Sequence, residues 1–338
     1  MNSSNQNTPR QWLWIAVKIA ASCSLLLWLS TKISYADAAR HLFQADVPKV
    51  LLAFSILGIS LALTALRWYF ASTRLIPLTI ALRYTWISQF YGLFLPGATS
   101  ADIAKGVAMT ANGDSPDATA LVVSILLERF AGLSSVVIVG LLAHSLQPFL
   151  FPVSRTLTAA AAIIGFVLLA CFPVLARLVL RPLPKTTRLV RAREVARRLD
   201  GKMWGISLFL SFAIVATNVT FYWTVYLAAG GEAQWIQMAT YTCLDGLAAL
   251  LPVSVAGIGI RDSLAVALFA RSGEGTREVA FAWTVLLLMA GHGLIGFLLQ
   301  CRQSRPTQSR DYHKPQLPDP GPTNSNHERH IKTLVTEK

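Results

Sequence analysis

Long apolar stretches separated by short polar segments make up most of the chain before its polar C-terminal tail. A helix needs roughly 20 mostly apolar residues to cross a bilayer, and several of these stretches reach about that length. We therefore predict six membrane-spanning helices. They lie at Trp12–Ile33, Val50–Ala71, Asp117–Leu146, Arg155–Leu180, Met203–Ala229 and Val279–Leu299.

Two further apolar stretches are interrupted in the middle. The first, at about 79–112, breaks at Leu95-Pro96-Gly97, and the second, at about 235–270, breaks at Leu251-Pro252. Irregular backbone at membrane depth is tolerated only where it is buried in protein or lines a polar cavity. We therefore predict two re-entrant hairpins that form the two halves of a substrate path. The hinge candidates are Pro96, Gly97, Pro252, Gly257 and Gly259.

The composition also indicates a multi-pass membrane protein. Hydrophobic residues make up 54% of the chain and charged residues 14%, against roughly 45–50% and about 25% in soluble domains. The formal net charge of +13 does not favour nucleic-acid binding, because no basic patch with interleaved aromatic residues lies outside the apolar stretches. Lys and Arg concentrate instead in residues 177–202 and in the tail, and such segments favour the cytoplasmic side.

This charge bias predicts the orientation of the chain. If the interrupted stretches are hairpins, the N-terminus also lies inside with Arg67, Arg74 and Arg83, the first hairpin enters from the cytoplasm, and the second enters from outside. If they are full spans, the N-terminus and these three arginines lie outside, and the charge bias favours the hairpins. The order of span, span, hairpin and span then occurs twice with opposite orientation. Such an inverted repeat is common in transporters, whose substrate sites lie where broken helices meet near the midplane.

The predicted fold class is therefore an all-α polytopic membrane protein with about six full transmembrane helices and two re-entrant hairpins. We predict that the basic segment is an amphipathic helix on the anionic cytoplasmic leaflet; a solvated helix is the alternative. The predicted segments are a disordered N-terminus (1–11), a first repeat (12–146), a second repeat (147–301) with the basic helix at about 181–202, and a disordered tail (302–338).

Ionisable side chains within the apolar stretches are the candidates for function. Each is costly in the bilayer, by about 2.5–3.5 kcal/mol on insertion scales. The candidates are Asp102, Lys105, Glu128, Arg129, Asp245, Arg261, Asp262 and His292. Because a phosphate needs cationic donors, we predict that Lys105, Arg129 and Arg261 contact it. We predict that Asp102, Glu128 and Asp262 neutralise these cations in the empty site or contact a cationic headgroup.

Structural roles remain open for the same groups. Asp102 with Lys105, and Glu128 with Arg129, are alternatively ion pairs that only hold the hairpins in place. Glu128 and Arg129 are adjacent, however, and adjacent helical side chains point about 100° apart, so they need not pair with each other. His292 fits a packed polar group better than a proton relay.

Other polar groups suggest no chemistry of their own. The segment from Arg67 to Arg74 has the aromatic and cationic residues typical of a water interface, and the aromatic residues of 204–226 fit packing or interfacial belts. The four cysteines are scattered without ligand spacing, so neither a disulfide framework, a metal nor a cofactor is expected. No set of nucleophile, base and orienting group appears, so we do not expect an enzyme.

Three motifs together resemble a known family, the lysylphosphatidylglycerol-synthase transmembrane-region family of flippase-like membrane proteins. They are Phe94-Leu95-Pro96-Gly97 with Asp102-Ile103-Ala104-Lys105, then Leu126-Leu127-Glu128-Arg129-Phe130-Ala131-Gly132-Leu133, and Leu251-Pro252-Val253-Ser254-Val255-Ala256-Gly257-Ile258-Gly259-Ile260-Arg261-Asp262. The chain departs from the family pattern in two places. Ser100-Ala101 replaces Gly-Gly before the acid, and Asp262-Ser263 replaces Glu-Gly.

The resemblance implies movement of a lipid or lipid-linked intermediate across a bacterial inner membrane. Some family members carry a soluble aminoacyl-transferase domain, whereas the tail here is too short for one, so we do not expect synthase activity. The alternative is an accessory subunit that docks a lipid-modifying enzyme or glycosyltransferase through the basic Arg188–Arg198 surface or the tail. The predicted partners are a membrane lipid, the anionic leaflet and, in the alternative, that enzyme.

Overall fold

The structure is a computed structural model of the 338-residue chain. It describes residues 35–95, 98–114, 118–147, 153–180, 200–250, 257–270 and 275–303. The regular structure in these residues is helical. The helices are α1 (Tyr35–Phe43), α2 (Val47–Ala71), α3 (Leu78–Phe94), α4 (Ala98–Ala111), α5 (Ala118–Leu146), α6 (Arg155–Ala170), α7 (Phe172–Leu180), α8 (Gly201–Ala228), α9 (Trp235–Ala248), α10 (Ile260–Phe269) and α11 (Thr276–Gln303).

The chain divides into a unit of residues 1–300, which contains the helices up to Gln300, and a unit of residues 301–338. The last turn of α11 is the described part of the second unit. Several predictions concern residues outside the described part. They are the N-terminal segment 1–11, the span at 12–33, the hinge residues Pro96, Gly97 and Pro252, the basic helix within 181–199, and the tail from 304 onwards.

Four long helices, α2, α5, α8 and α11, are apolar enough to cross a membrane. Their mean hydropathy lies between 1.6 and 2.1 over the most apolar 18-residue window, and each has more than the roughly 20 residues that a span requires. They coincide with four of the six predicted spans. The protein is thus an all-helical, multi-pass membrane protein.

Each of the two interrupted stretches forms a pair of short helices. Helix α3 ends at Phe94, and Leu95 is extended with φ −92° and ψ 134°, as expected for a residue that precedes proline. Helix α4 then begins at Ala98. In the second stretch α9 ends at Ala248 and α10 begins at Ile260.

The stretch at 155–180 differs from the single predicted span, because the helix is broken at Cys171. Pro173 lacks an N–H and cannot donate to the carbonyl four residues earlier, that of Leu169. The Leu169 carbonyl instead accepts a hydrogen bond from Trp204 Nε1 at 2.9 Å. The break therefore frees a backbone acceptor that ties α6 to α8, and Trp204 is buried as the sequence suggested for packing.

Small residues bring the long helices close together, as is usual in membrane bundles. Helix α2 packs along α8, and Ser60 Oγ donates to Asn218 Oδ1 at 2.6 Å across this contact. Gly291 of α11 faces Phe54 of α2, and Gly296 lies so close to the Trp86 carbonyl of α3 that a side chain would not fit there. The packing places the ends of both broken stretches beside α2, α5 and α8.

Candidate functional site

A cavity of about 370 Å³ is bordered by both broken stretches. That volume lies within the range of small-molecule sites. Helix α4 contributes Asp102 and Lys105, and the second stretch contributes Arg261 at the start of α10. Helices α2 and α5 complete the charged part of the lining with Arg67, Glu128 and Arg129. The structure therefore brings together charged residues that are far apart in the sequence.

The charged residues from the first half of the chain form a continuous series of ion pairs. Arg67 Nη2 lies 3.3 Å from Glu128 Oε1, and Lys105 Nζ lies 3.1 Å from Glu128 Oε2. Lys105 Nζ is also 3.5 Å from Asp102 Oδ1, and Arg129 Nε is bonded to Asp102 Oδ2. We call these five residues the first cluster. In it three cations alternate with two carboxylates, so that each carboxylate contacts two cations.

Lys105 occupies the centre of the first cluster rather than its exposed edge. Its side chain is only 2% exposed, and its Nζ lies 4.0 Å from the centre of the Trp68 ring. We predicted that Lys105 contacts phosphate, but its ammonium is surrounded by Asp102 and Glu128. Arg129, at the end of the series with a side chain 33% exposed, is more open to the cavity.

Arg67 is a cavity residue that the sequence analysis misplaced. We predicted a water-interface anchor there, whereas Arg67 is buried and its Nη1 donates to Ser211 Oγ at 3.4 Å. A Cβ on Gly132 would lie 2.8 Å from Arg67 Nη1, so this glycine provides the space for the guanidinium. Glu128 and Gly132 are four residues apart and share one face of α5. This four-residue spacing was the sequence signal that could have indicated a buried partner for Glu128 on that face of α5.

The charged residues from the second half form a smaller group, which we call the second cluster: Arg261, Asp245 and Tyr222. Arg261 Nε lies 3.3 Å from Asp245 Oδ1, and its Nη2 lies 3.5 Å from Oδ2. Tyr222 Oη donates to Asp245 Oδ2 at 2.6 Å. Asp245 and Arg261 are both 6% exposed. The sequence analysis considered Asp245 as a candidate, but it did not identify Tyr222 as a partner.

Asp262 has a capping role that the sequence analysis did not identify. Its Oδ2 accepts a hydrogen bond from the backbone N–H of Gly259 at 2.7 Å, which caps the start of α10. Asp262 is not among the residues that line the cavity. Among the described residues, Asp245 is the carboxylate that forms an ion pair with Arg261, and the neutralising role of Asp262 stays a prediction.

The two described hinge candidates have the conformation that favours glycine. Gly257 and Gly259 have φ values of 79° and 86°, which other residues adopt only with strain. Gly257 also faces the Arg261 guanidinium, since a Cβ there would lie 3.1 Å from Nη2. This part of the backbone therefore approaches the charged group closely.

Membership of a family follows from a comparison with known proteins. A family model described as the lysylphosphatidylglycerol synthase TM region matches residues 14–298. The chain belongs to this family. A search of curated proteins finds no significant match. The match covers both clusters and every cavity residue, so the site lies within the membrane domain that defines the lysylphosphatidylglycerol synthase TM region family.

The structure shows how the chain makes room for one of its departures from the family pattern. Ala101 stands where the resemblance leads us to expect glycine, immediately before Asp102. Its methyl group faces Gly92 of α3, where an added Cβ would lie 3.6 Å away. The glycine on the opposite helix therefore leaves room for the larger residue.

His292 and the possible metal ligands lie apart from this family site. The His292 ring stacks on Phe54 with centroids 4.1 Å apart, and its Nε2 lies 3.0 Å from the Phe54 carbonyl oxygen. This is the environment of a packed polar group. Among the described residues, no three His, Cys, Asp or Glu side chains lie close enough together to hold a metal ion.

Proposed function

We propose that the protein is a flippase-like transporter that moves a lipid or lipid-linked intermediate with a phosphate-bearing headgroup across the bacterial inner membrane. The supporting observation is the cavity that both broken stretches border and that Arg67, Arg129 and Arg261 line. Guanidinium groups bind phosphate oxygens through two parallel hydrogen bonds. Family membership supports a lipid-related role.

The short helices suggest how a headgroup would cross. Helices α3 and α4 have 17 and 14 residues, and α9 and α10 have 14 and 10. At about 1.5 Å per residue each is shorter than the roughly 30 Å hydrocarbon layer. We propose that each pair is a re-entrant hairpin, that the two hairpins belong to an inverted repeat with about six full spans, and that both termini are cytoplasmic. The headgroup would pass between the hairpins while the acyl chains stay in lipid.

This proposal treats the protein as a transporter and not as an enzyme. The charged side chains that line the cavity are engaged in ion pairs, with one another or, for Arg261, with Asp245 behind it. A nucleophile or a general base needs a neighbour that activates it. A cavity whose paired charges leave an excess of cations suits reversible binding of an anion better than it suits bond cleavage.

Lipid flux in reconstituted vesicles tests the proposal. The protein would be placed in phosphatidylcholine vesicles that contain a trace of fluorescent phosphatidylglycerol, and the fraction accessible to a membrane-impermeant quencher would be followed over time. We expect Arg129→Ala and Arg261→Ala each to slow the flux at least about tenfold, which corresponds to about 1.4 kcal/mol of lost interaction with the moving headgroup.

Arg74→Ala is the matched control, because Arg74 is exposed and packs over the rings of Tyr69 and Phe70. Its flux should equal that of the unmodified protein. Unchanged flux in both cavity variants would contradict the proposal. Absence of flux with the unmodified protein would favour the accessory-subunit hypothesis instead.

A further inference from the structure

The two clusters differ in which ion pairs remain when a bound anion draws a cation away from its carboxylate. If a phosphate engages Arg129, Asp102 still contacts Lys105 at 3.5 Å. If a phosphate engages Arg67, Glu128 still contacts Lys105 at 3.1 Å. Lys105 thus compensates either carboxylate of the first cluster, and binding there needs no change of protonation.

Among the described residues, the second cluster has no second cation that could compensate its carboxylate. Asp245 contacts one cation, Arg261, through both carboxylate oxygens. An anion that turns the guanidinium toward the cavity would leave Asp245 with the Tyr222 hydroxyl at 2.6 Å. A buried carboxylate without a cation is strongly disfavoured in its charged form, and such a group takes up a proton instead.

We infer that Asp245 takes up one proton from water when Arg261 binds the anionic headgroup, so that lipid movement is coupled to protons. The inference rests on the proposed function. The bound state has Arg261 paired with the phosphate and a neutral Asp245 paired with Tyr222. The empty state has Arg261 paired with an ionised Asp245. Protons and lipid anions therefore bind together and leave together.

The surroundings of Asp245 fit this exchange. The residues of α5 that face α9 at this level are Val136, against Gly246, and Gly140, against Cys243, and neither α5 residue titrates. Met289 of α11 places its sulfur 3.5 Å from Arg261 Nη1. No second basic group from these neighbours contacts Asp245 in the described residues.

The other titratable groups near Asp245 are phenols and a carboxylate. Tyr222 of α8 donates to it, the Tyr241 ring packs against the Tyr222 ring with centroids 5.5 Å apart, and Asp262 directly follows Arg261. Asp262 holds the N–H of Gly259. The negative charge of Asp262 nearby further favours the protonated form of Asp245 when Arg261 moves away.

Calorimetry in two buffers measures the proton directly. The full-length protein in phosphatidylcholine nanodiscs would be titrated with dihexanoyl-phosphatidylglycerol, and the same titration of empty nanodiscs would be subtracted. The phosphodiester of this probe does not titrate near neutral pH, so a dependence of the binding heat on the ionisation heat of the buffer counts protons taken up by the protein. We expect about one proton per lipid bound, and an affinity that weakens by up to about tenfold per pH unit as the pH rises.

Three variants assign the proton to Asp245. Asp245→Asn should bind the probe with no proton uptake and with little pH dependence. Tyr222→Phe removes a donor to the ionised carboxylate, so its binding should persist to higher pH with proton uptake retained. The matched control is Asp114→Asn, because Asp114 also accepts from a tyrosine, Tyr84 at 2.8 Å, but lies beyond the C-terminal end of α4 in the other broken stretch. It should keep one proton per lipid.

The outcomes separate the two proposals. Binding by the unmodified protein without proton uptake would overturn the inference while leaving the proposed function intact, and this result does not depend on any variant folding. Proton uptake that persists in a folded Asp245→Asn protein would also overturn it. A protein that binds none of the probe would refute both.

Discussion

All five residues of the first cluster and Arg261 of the second border the same cavity, but the two clusters balance charge in different ways. In the first, Lys105 lies between two carboxylates, and each carboxylate contacts a second cation at its other side. In the second, Asp245 and Arg261 are mutual partners with support from Tyr222. A carboxylate that contacts two cations stays compensated when one of them is drawn away. A single pair does not, and it responds to such a loss by changing its protonation or by unfolding.

The difference follows from how each cluster is held. Asp102, Lys105, Glu128 and Arg129 lie on α4 and α5, and two of the contacts join residues of these two helices. The pairing in the second cluster depends on the placement of α9 against α10. We expect the first cluster to be a stable anion site and the second to be the part that changes during transport.

The largest effect is expected for Asp245→Ala. It leaves Arg261 buried without its carboxylate, and breaking a buried ion pair from one side costs about 3–5 kcal/mol. Reversible unfolding of the purified protein in mixed micelles would measure the loss. The double variant Asp245→Ala with Arg261→Met should recover most of it, because the uncompensated charge is then gone. A single variant as stable as the unmodified protein would contradict the account of the second cluster.

The glycines that face the two arginines should differ in the cost of an added methyl group. Gly132→Ala crowds Arg67 with a Cβ at 2.8 Å, and such overpacking costs about 1–3 kcal/mol. Gly257→Ala crowds Arg261 at 3.1 Å and also places alanine at φ 79°, which adds roughly 1–2 kcal/mol of backbone strain. Unfolding of the two variants under the same conditions should find Gly257→Ala the more damaging. Equal losses would mean that Arg261 moves aside more easily than Arg67.

The sequence predicted those elements of the fold that depend on neighbouring residues along the chain. Apolar length predicted α2, α5, α8 and α11, and the Leu95-Pro96-Gly97 sequence predicted the break that follows α3, since proline restricts the residue before it. The break after Ala170 was also readable from Pro173, but the continuous apolar character of 155–180 outweighed it. The hydrophobicity of a stretch indicates its membrane depth and says less about its continuity.

The sequence predicted most of the residues of the candidate site, but it did not predict which of them form ion pairs with each other. Arg67 follows an apolar stretch and precedes aromatic residues, so its local sequence matches that of a water-interface anchor. The carboxylate of Asp262 follows Arg261 directly, yet adjacent helical residues point about 100° apart, and the partner of Arg261 is Asp245 in the preceding helix. Such pairings depend on the angle between helices, which no short motif encodes.

A smaller effect is expected for Lys105→Met, which replaces the shared cation of the first cluster by an apolar side chain of similar length. Asp102 keeps Arg129 and Glu128 keeps Arg67, so we expect a loss of about 1.5–3 kcal/mol, the range for a hydrogen bond to a charged group. The same unfolding measurement tests it. A loss as large as that of Asp245→Ala would show that the two clusters do not differ in their tolerance.

The smallest effect is expected for Ser211→Ala, which removes the hydroxyl that accepts from Arg67 Nη1. That contact is long, at 3.4 Å, and Arg67 keeps its ion pair with Glu128, so we expect a loss of about 0.5–1 kcal/mol. Ser207→Ala is the matched control one helical turn earlier, because the Ser207 hydroxyl is buried and has no hydrogen-bond partner in the described residues. It should leave the free energy of unfolding unchanged or slightly raise it. If Ser211→Ala instead cost as much as Lys105→Met, Arg67 would depend on the serine more than on Glu128, and the first cluster would share charge less evenly than its distances indicate.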